Sequence, residues 1–125
     1  MSTNTIRAII KEPGKDPEVR WIKNELEELQ SIVGGYVEAH TLDDDYGVVL
    51  CDEDGVANLK AMNFWLDLFS NRYRWDYIVG TAIFVDVDAR NERFIGLTED
   101  QIEEITQTLK LAQIREKFRG EEGIE

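Results

Sequence analysis

Residues 6–11 form a short apolar-rich run that reads as a strand, and a second such run returns at 19–22. Between them Glu12-Pro13-Gly14-Lys15-Asp16-Pro17 is turn chemistry, because Pro presets φ and Gly supplies positive φ, so the two runs pair as a hairpin. The period then changes. Leu26, Leu29 and Val33 fall on one helical stripe, with Glu25 and Glu28 away from it. Asn24 with Glu27 three positions on reads as a reciprocal cap, and Gly34-Gly35 supplies a left-handed stop.

Residues 36–42 and 46–51 read as a second hairpin around Asp43, Asp44 and Asp45, which are turn-prone and too charged to bury. With Asp44 and Asp45 as the two turn residues, Ala39 faces Leu50 and Thr41 faces Val48. The same register puts Tyr36, Glu38, His40, Val49 and Cys51 on the opposite face. Residues 57–69 mix aromatic and polar positions and are expected to form one or two helical turns. Residues 77–87 are apolar on both faces, as in a strand from the middle of a sheet. Thr98-Glu99-Asp100-Gln101 is a capping box that opens a helix with Ile102, Ile105, Leu109 and Ala112 on one stripe, continued by Ile114 and Phe118.

These elements predict an α+β fold: a single-layer antiparallel or mixed sheet of about five strands with two main helices on one face. One domain over 1–119 is expected, followed by a flexible acidic tail at 120–125. The 125 residues fit one domain, and the apolar fraction of 42% separates the chain from a disordered acidic tail. No internal repeat stands out. No apolar run approaches the ~18 residues of a membrane span, and the first residues lack a secretory layout, so a cytosolic location is expected.

Charge changes the picture. There are 26 Asp and Glu against 14 Lys and Arg, a formal net charge of −12, which opposes nucleic acid and anionic membranes and suits a basic protein partner. Cys51 is the single cysteine, so an intrachain disulfide and a cysteine-rich zinc module are both excluded. No metal and no cofactor are expected. The acids at 43–45 and 52–54 lack EF-hand spacing, since counting back from Gly47 or Gly55 puts a leucine first. Asp86 and Asp88 share one strand face without a third acid fixed nearby. Pro13-Gly14-Lys15 is far short of a phosphate loop, and Gly80-Thr81 reads first as a close packing contact.

His40 and Cys51 are the one nucleophile and base pair to weigh, as diagonal neighbours on one face. Glu38 opposite Cys51 would raise the thiol pKa, which argues against catalysis. Phe64, Trp65, Phe69, Tyr73, Trp75 and Tyr77 are dense in aromatics, with Arg72 and Arg74 interleaved, a local arrangement suited to an anionic ligand. Core packing competes for the same side chains.

Taken in order, residues 6–15 (Ile-Arg-Ala-Ile-Ile-Lys-Glu-Pro-Gly-Lys), Val33-Gly-Gly-Tyr-Val-Glu38, Cys51-Asp-Glu-Asp-Gly55 and Asp76-Tyr-Ile-Val-Gly-Thr81, with Asn24-x-Leu-x-x-Leu-Gln30 between the first two, resemble a family of small proteins of unknown function from phages and bacterial mobile elements. The likeness runs from residue 6 to about 105. It implies a phage or mobile-element protein and brings no catalytic residues. The aromatic segment at 64–75 and the long final helix depart from the family pattern.

The function expected is that of a non-enzymatic accessory protein that binds a basic host protein through Glu25, Glu28, Asp43, Asp44, Asp45, Asp52, Glu53, Asp54, Glu99 and Glu103. As a nucleic-acid mimic it would inhibit a restriction or CRISPR-type defence protein. The alternative is a small-ligand binder that sequesters a nucleotide signal through Lys15, Arg72, Tyr73, Arg74 and Trp75. The long final stripe leaves a homodimer open.

Overall fold

The computed structural model describes residues 4–73 and 76–122, with side chains through residue 114. In chain order the elements are β1 (Thr5–Lys11), β2 (Glu18–Lys23), α1 (Leu26–Val33), β3 (Val37–Thr41), β4 (Val48–Asp52), β5 (Met62–Trp65), a 3-10 turn (Leu66–Leu68), β6 (Tyr77–Val79), β7 (Ala82–Asp88), β8 (Arg93–Ile95) and α2 (Glu99–Glu122). Among the described residues one antiparallel sheet has the order β2-β1-β7-β4-β3, with β8 paired to the far end of β7, and β5 and β6 form a separate two-stranded ribbon. The class is α+β.

The two helices lie on opposite faces of the sheet, not on one. Ala8, Ile10, Val48, Leu50, Ile83 and Val85 point to the face covered by Leu29 and Val33 of α1. Ile9, Val49, Cys51, Ala82 and Phe84 point to the other, covered by Ile102, Ile105 and Leu109 of α2 and by the aromatic segment. The cause is visible in β7, whose residues from Ala82 to Val85 are all buried. A strand apolar on both faces needs cover on both, and each fully buried Ile or Phe contributes about 1.5–3 kcal/mol only if covered.

The hairpin register holds. Ala39 pairs with Leu50, Thr41 with Val48 and Glu38 with Cys51, while the Tyr46 amide donates to the Asp43 carbonyl across a turn centred on Asp44 and Asp45. Ala39 and Thr41 are nevertheless exposed, because β3 is the edge strand and only its first residue, Val37, packs against the core under α1.

Three local expectations are corrected. Asn24 does not cap α1: Glu25 holds that position without a side-chain bond, Leu26 is exposed, and the Asn24 amide donates to the Phe94 carbonyl at 2.7 Å, tying α1 to β8. The expected helical turns at 57–69 are instead a strand and a single 3-10 turn. Buried Phe64, Leu66 and Phe69 do not share one helical stripe, whereas a strand followed by a tight turn delivers all three to the core. The expected strand at 77–87 is two strands, because Gly80 takes φ +73° and turns the chain from the β5–β6 ribbon into the main sheet.

At the other end of the chain the capping box forms as read. The Thr98 amide donates to Gln101 Oε1 at 2.9 Å and the Gln101 amide to Thr98 Oγ1 at 3.1 Å. Ile102, Ile105 and Leu109 are buried, and Ile114 is exposed. α2 runs to Glu122, so the tail expected from Gly120 begins inside the helix, while residues 123–125 and the Phe118 side chain lie outside the description. No described helix is long and apolar enough to cross a membrane.

Candidate functional site

Antiparallel pairing sets which acids can meet. The β3–β4 turn, the ends of β2 and β7 and the starts of α1 and α2 all fall at one pole of the sheet, because Thr5 pairs with Lys23, Thr41 with Val48 and Val48 with Val85. Glu25, Asp43, Asp44, Asp45, Asp86, Glu99 and Glu103 therefore belong to that pole. Gln101 clamps it: its amide nitrogen donates to the Asp44 carbonyl at 3.3 Å and to Asp86 Oδ2 at 2.9 Å. Tyr46 joins Thr108 by a hydroxyl pair at 3.3 Å, which holds the same turn against α2. Basic residues interrupt the acids, since Arg7 pairs with Glu99, and Lys23 and Arg93 end strands there.

The other predicted acids do not join them. Glu53 and Asp54 are exposed at the opposite pole, beyond the end of β4, and Glu28 faces outward along α1, partly buried. Asp52 is buried and cannot meet a partner. Its carboxylate lies 2.6 Å from Lys60 Nζ and also accepts the Asp54 amide and the Asn58 side chain. The Lys60 hydrogen bond, ahead of the other two donors, holds its pKa below the usual carboxylate value.

Lys60 is the residue that the sequence reading missed. Its ammonium also donates to the carbonyls of Val33 at 2.8 Å and Gly34 at 3.0 Å, satisfying the C-terminal turn of α1. A Cβ at Gly35 would overlap the Asp52 carboxylate, and one at Gly80 would lie 2.8 Å from Lys60 Cδ. Three sequence motifs, Val33-Gly-Gly, Cys51-Asp-Glu-Asp-Gly and Val79-Gly-Thr, thus converge on one lysine. A signal was present: Lys60 is the sole Lys or Arg between Lys23 and Arg72. This constellation is a structural lock.

On the α2 side of the edge strand β3, Glu38, His40 and Cys51 come together, their ligand-type atoms all within 4.8 Å of one another. His40 Nε2 is 3.6 Å from Glu38 Oε2, and Tyr73 packs edge-on against the imidazole with centroids 5.6 Å apart. Burial, then the charges of Glu38 and Asp52, push the Cys51 thiol up to about 12. A thiol that keeps its proton at neutral pH is a poor nucleophile, as the sequence implied. Beside these residues lies a concavity of about 160 Å³ lined by Gly55, Val56, Asp76, Tyr77 and Val79 among others.

Among the described residues of the expected anion-binding set, Lys15 lies apart from Tyr73. Lys15 pairs with Glu12 at 3.4 Å in the β1–β2 turn, where its carbonyl accepts Gln113. Gln101 touches the opposite pole, so roughly 18 Å of α2 at 1.5 Å per residue separates the two. The Tyr73 hydroxyl donates to the Thr41 carbonyl at 2.9 Å, and the Arg72 amide donates to Ser70 Oγ at 3.2 Å. Arg74 and Trp75 lie outside the described residues. Phe64 and Phe69 are core, Phe64 stacked on Phe84 and Phe69 tilted against it. Asp86 and Asp88 are each engaged separately, Asp86 by Gln101 and Asp88 by Asn91, whose hydrogen bond lowers the Asp88 pKa.

Compared with known proteins, residues 6–110 match the family model described as a domain of unknown function (DUF3846). No curated protein and no protein of solved structure matches the chain.

Proposed function

We propose that this chain, which belongs to the DUF3846 family, is a non-enzymatic accessory protein that docks on a basic protein surface through its acidic pole. In this reading the setting is a phage or mobile element, the partner is a nucleic-acid-binding host defence protein, and the pole stands in for phosphates. One observation carries the proposal: Gln101 fastens the Asp44 turn and Asp86 to the first turns of α2, which bear Glu99, Asp100, Glu103 and Glu104. Acids held on a packed scaffold present a fixed field to a basic partner, and a fixed field steers encounter and selects charge-complementary surfaces. The pole is compact and interrupted by Arg7, Lys23 and Arg93, so it fits a short basic pocket better than a long duplex channel.

The test is capture from a bacterial lysate at low and high salt. It compares the native chain, a variant with Asp43, Asp44 and Asp45 changed to Asn and Glu103 to Gln, and an opposite-pole control, Glu53→Gln with Asp54→Asn. A basic nucleic-acid-binding protein held by the native chain and the control, released by salt and lost by the pole variant is the expected result. Equal retention by all three chains would remove the proposal.

A further inference from the structure

A second site rests on none of the pole's acids. Glu38 and His40 sit two residues apart on β3, so their side chains leave the same face, and Cys51 stands directly across from Glu38 on β4. The backbone ladder thereby fixes three chemically different donors: a carboxylate, an imidazole and a sulfur. We propose that Glu38, His40 and Cys51 bind a zinc-type divalent cation, with a fourth position turned to the concavity beside them.

The distances fit a tetrahedral ion. Zn–N and Zn–O bonds of about 2.1 Å at the tetrahedral angle place the two donors about 3.4 Å apart, and His40 Nε2 and Glu38 Oε2 are 3.6 Å apart. A Zn–S bond of about 2.3 Å wants sulfur about 3.6 Å from the other donors. All three donor atoms already lie within 4.8 Å of one another. The remaining approach of at most about 1.2 Å is between the Cys51 sulfur and the other two donors, and falls to His40 and Glu38, whose side chains are 23% and 47% exposed.

Donor type selects the ion. Sulfur and imidazole favour zinc, cobalt or copper over calcium and magnesium, which take oxygen. Burial differs among the three in a useful way, with Cys51 buried, His40 half-buried and Glu38 exposed, so an ion would enter from the Glu38 side. Tyr73, edge-on to His40 and hydrogen-bonded to the Thr41 carbonyl, is a positioning residue for the imidazole. Glu53 and Asp76 line the concavity and add negative potential at its mouth. Three protein ligands with one open position is the pattern of zinc sites that accept water or a further ligand.

Cobalt reports the ligands directly. Metal-stripped full-length protein titrated with Co²⁺ is expected to bind one equivalent and develop a sulfur-to-cobalt charge-transfer band, with visible absorption of tetrahedral strength, and Zn²⁺ but not excess Mg²⁺ should displace it. Cys51→Ser should abolish the charge-transfer band. Because Cys51 is buried and that variant risks misfolding, His40→Gln and Glu38→Gln provide the second test: each should weaken Co²⁺ binding about tenfold or more while the circular dichroism spectrum stays native. Absence of the band at stoichiometric Co²⁺, or unchanged affinity in both His40→Gln and Glu38→Gln, would overturn the site.

Discussion

Lys60 and Asp52 form a salt bridge of 2.6 Å in which the carboxylate side chain is 1% exposed and the lysine side chain 23% exposed. The same ammonium closes the end of α1 through Val33 and Gly34, so one cation joins the 52–60 loop, the first helix and the β4 end of the sheet. Removing one partner of a buried pair leaves the other charge without compensation, a loss of about 3–5 kcal/mol, reduced here because Lys60 keeps some contact with water. Lys60→Met is therefore expected to cost about 3 kcal/mol in urea unfolding. A loss below about 0.5 kcal/mol, the level of a surface pair, would show that the lock is ornamental.

The pair also sets an acid dependence. The folded pKa of Asp52 lies below that of the unfolded chain, about 3.9 for an ordinary Asp, so its contribution is complete above that value and is lost as pH falls toward the folded pKa. Native stability should drop as pH goes below about 4, and Lys60→Met should flatten that part of the curve. Parallel curves for the two proteins would mean that other carboxylates govern acid unfolding.

Gly35 tests how tightly the lock is built. A methyl group there meets the Asp52 carboxylate, whose oxygens are already committed to Lys60, Asn58 and the Asp54 amide. Gly35→Ala should destabilise by about 1–3 kcal/mol, the usual range for overpacking. An Ala variant as stable as the native chain would show that the carboxylate can retreat without losing its partners.

Cys51 makes a kinetic prediction for the metal-free protein. With the thiol near 12 rather than about 8.5, the thiolate fraction at pH 8 is lower by roughly a thousandfold, and alkylation by iodoacetamide should slow accordingly relative to the unfolded chain. Glu38→Gln should speed it, because the Glu38 charge is the second cause of the shift after burial. The sign for stability is the reverse of that for Asp52. A raised folded pKa contributes stability that is complete below about 8.5 and declines as pH climbs toward 12.

Much of this architecture was legible because it depends on local rules. The register at Asp44 and Asp45, the Gly34 stop and the Thr98–Gln101 box each follow from a few neighbouring residues, and each appears in the fold. What escaped was long-range. Asn24 looks like a cap until Phe94, seventy positions away, offers its carbonyl. Asp52 looks like part of an exposed acidic turn until Lys60 folds over it, and residues 62–65 look helical until Asn63 donates to the carbonyls of Lys11 and Gly80. In each case a single polar side chain found a distant backbone or charge partner that periodicity does not encode. The pole is intermediate: its acids were named from composition, but only topology decides that Asp44 meets α2 while Glu53 does not.

Gln101 separates the two roles that meet at that pole. It completes the helix cap with Thr98, and it bridges the Asp44 carbonyl to Asp86. Gln101→Ala removes both and should cost about 1–2 kcal/mol, while Thr98→Ala, which removes the hydroxyl half of the cap and leaves the bridge, should cost about 1 kcal/mol. Gln101→Glu is the discriminating change. Glu is equally suited to the third position of a capping box, yet it sets a carboxylate against Asp86 and against a carbonyl where an amide donor had been. If the bridge holds the pole together, Gln101→Glu is less stable than the native chain at low ionic strength and recovers only part of the loss near 1 M salt, because screening relieves repulsion from the surrounding acids but restores neither lost amide hydrogen bond. A Glu variant equal to the native chain at low salt would mean that the cap alone accounts for Gln101, and the acids of the β3–β4 turn and of α2 would then be neighbours without being fastened.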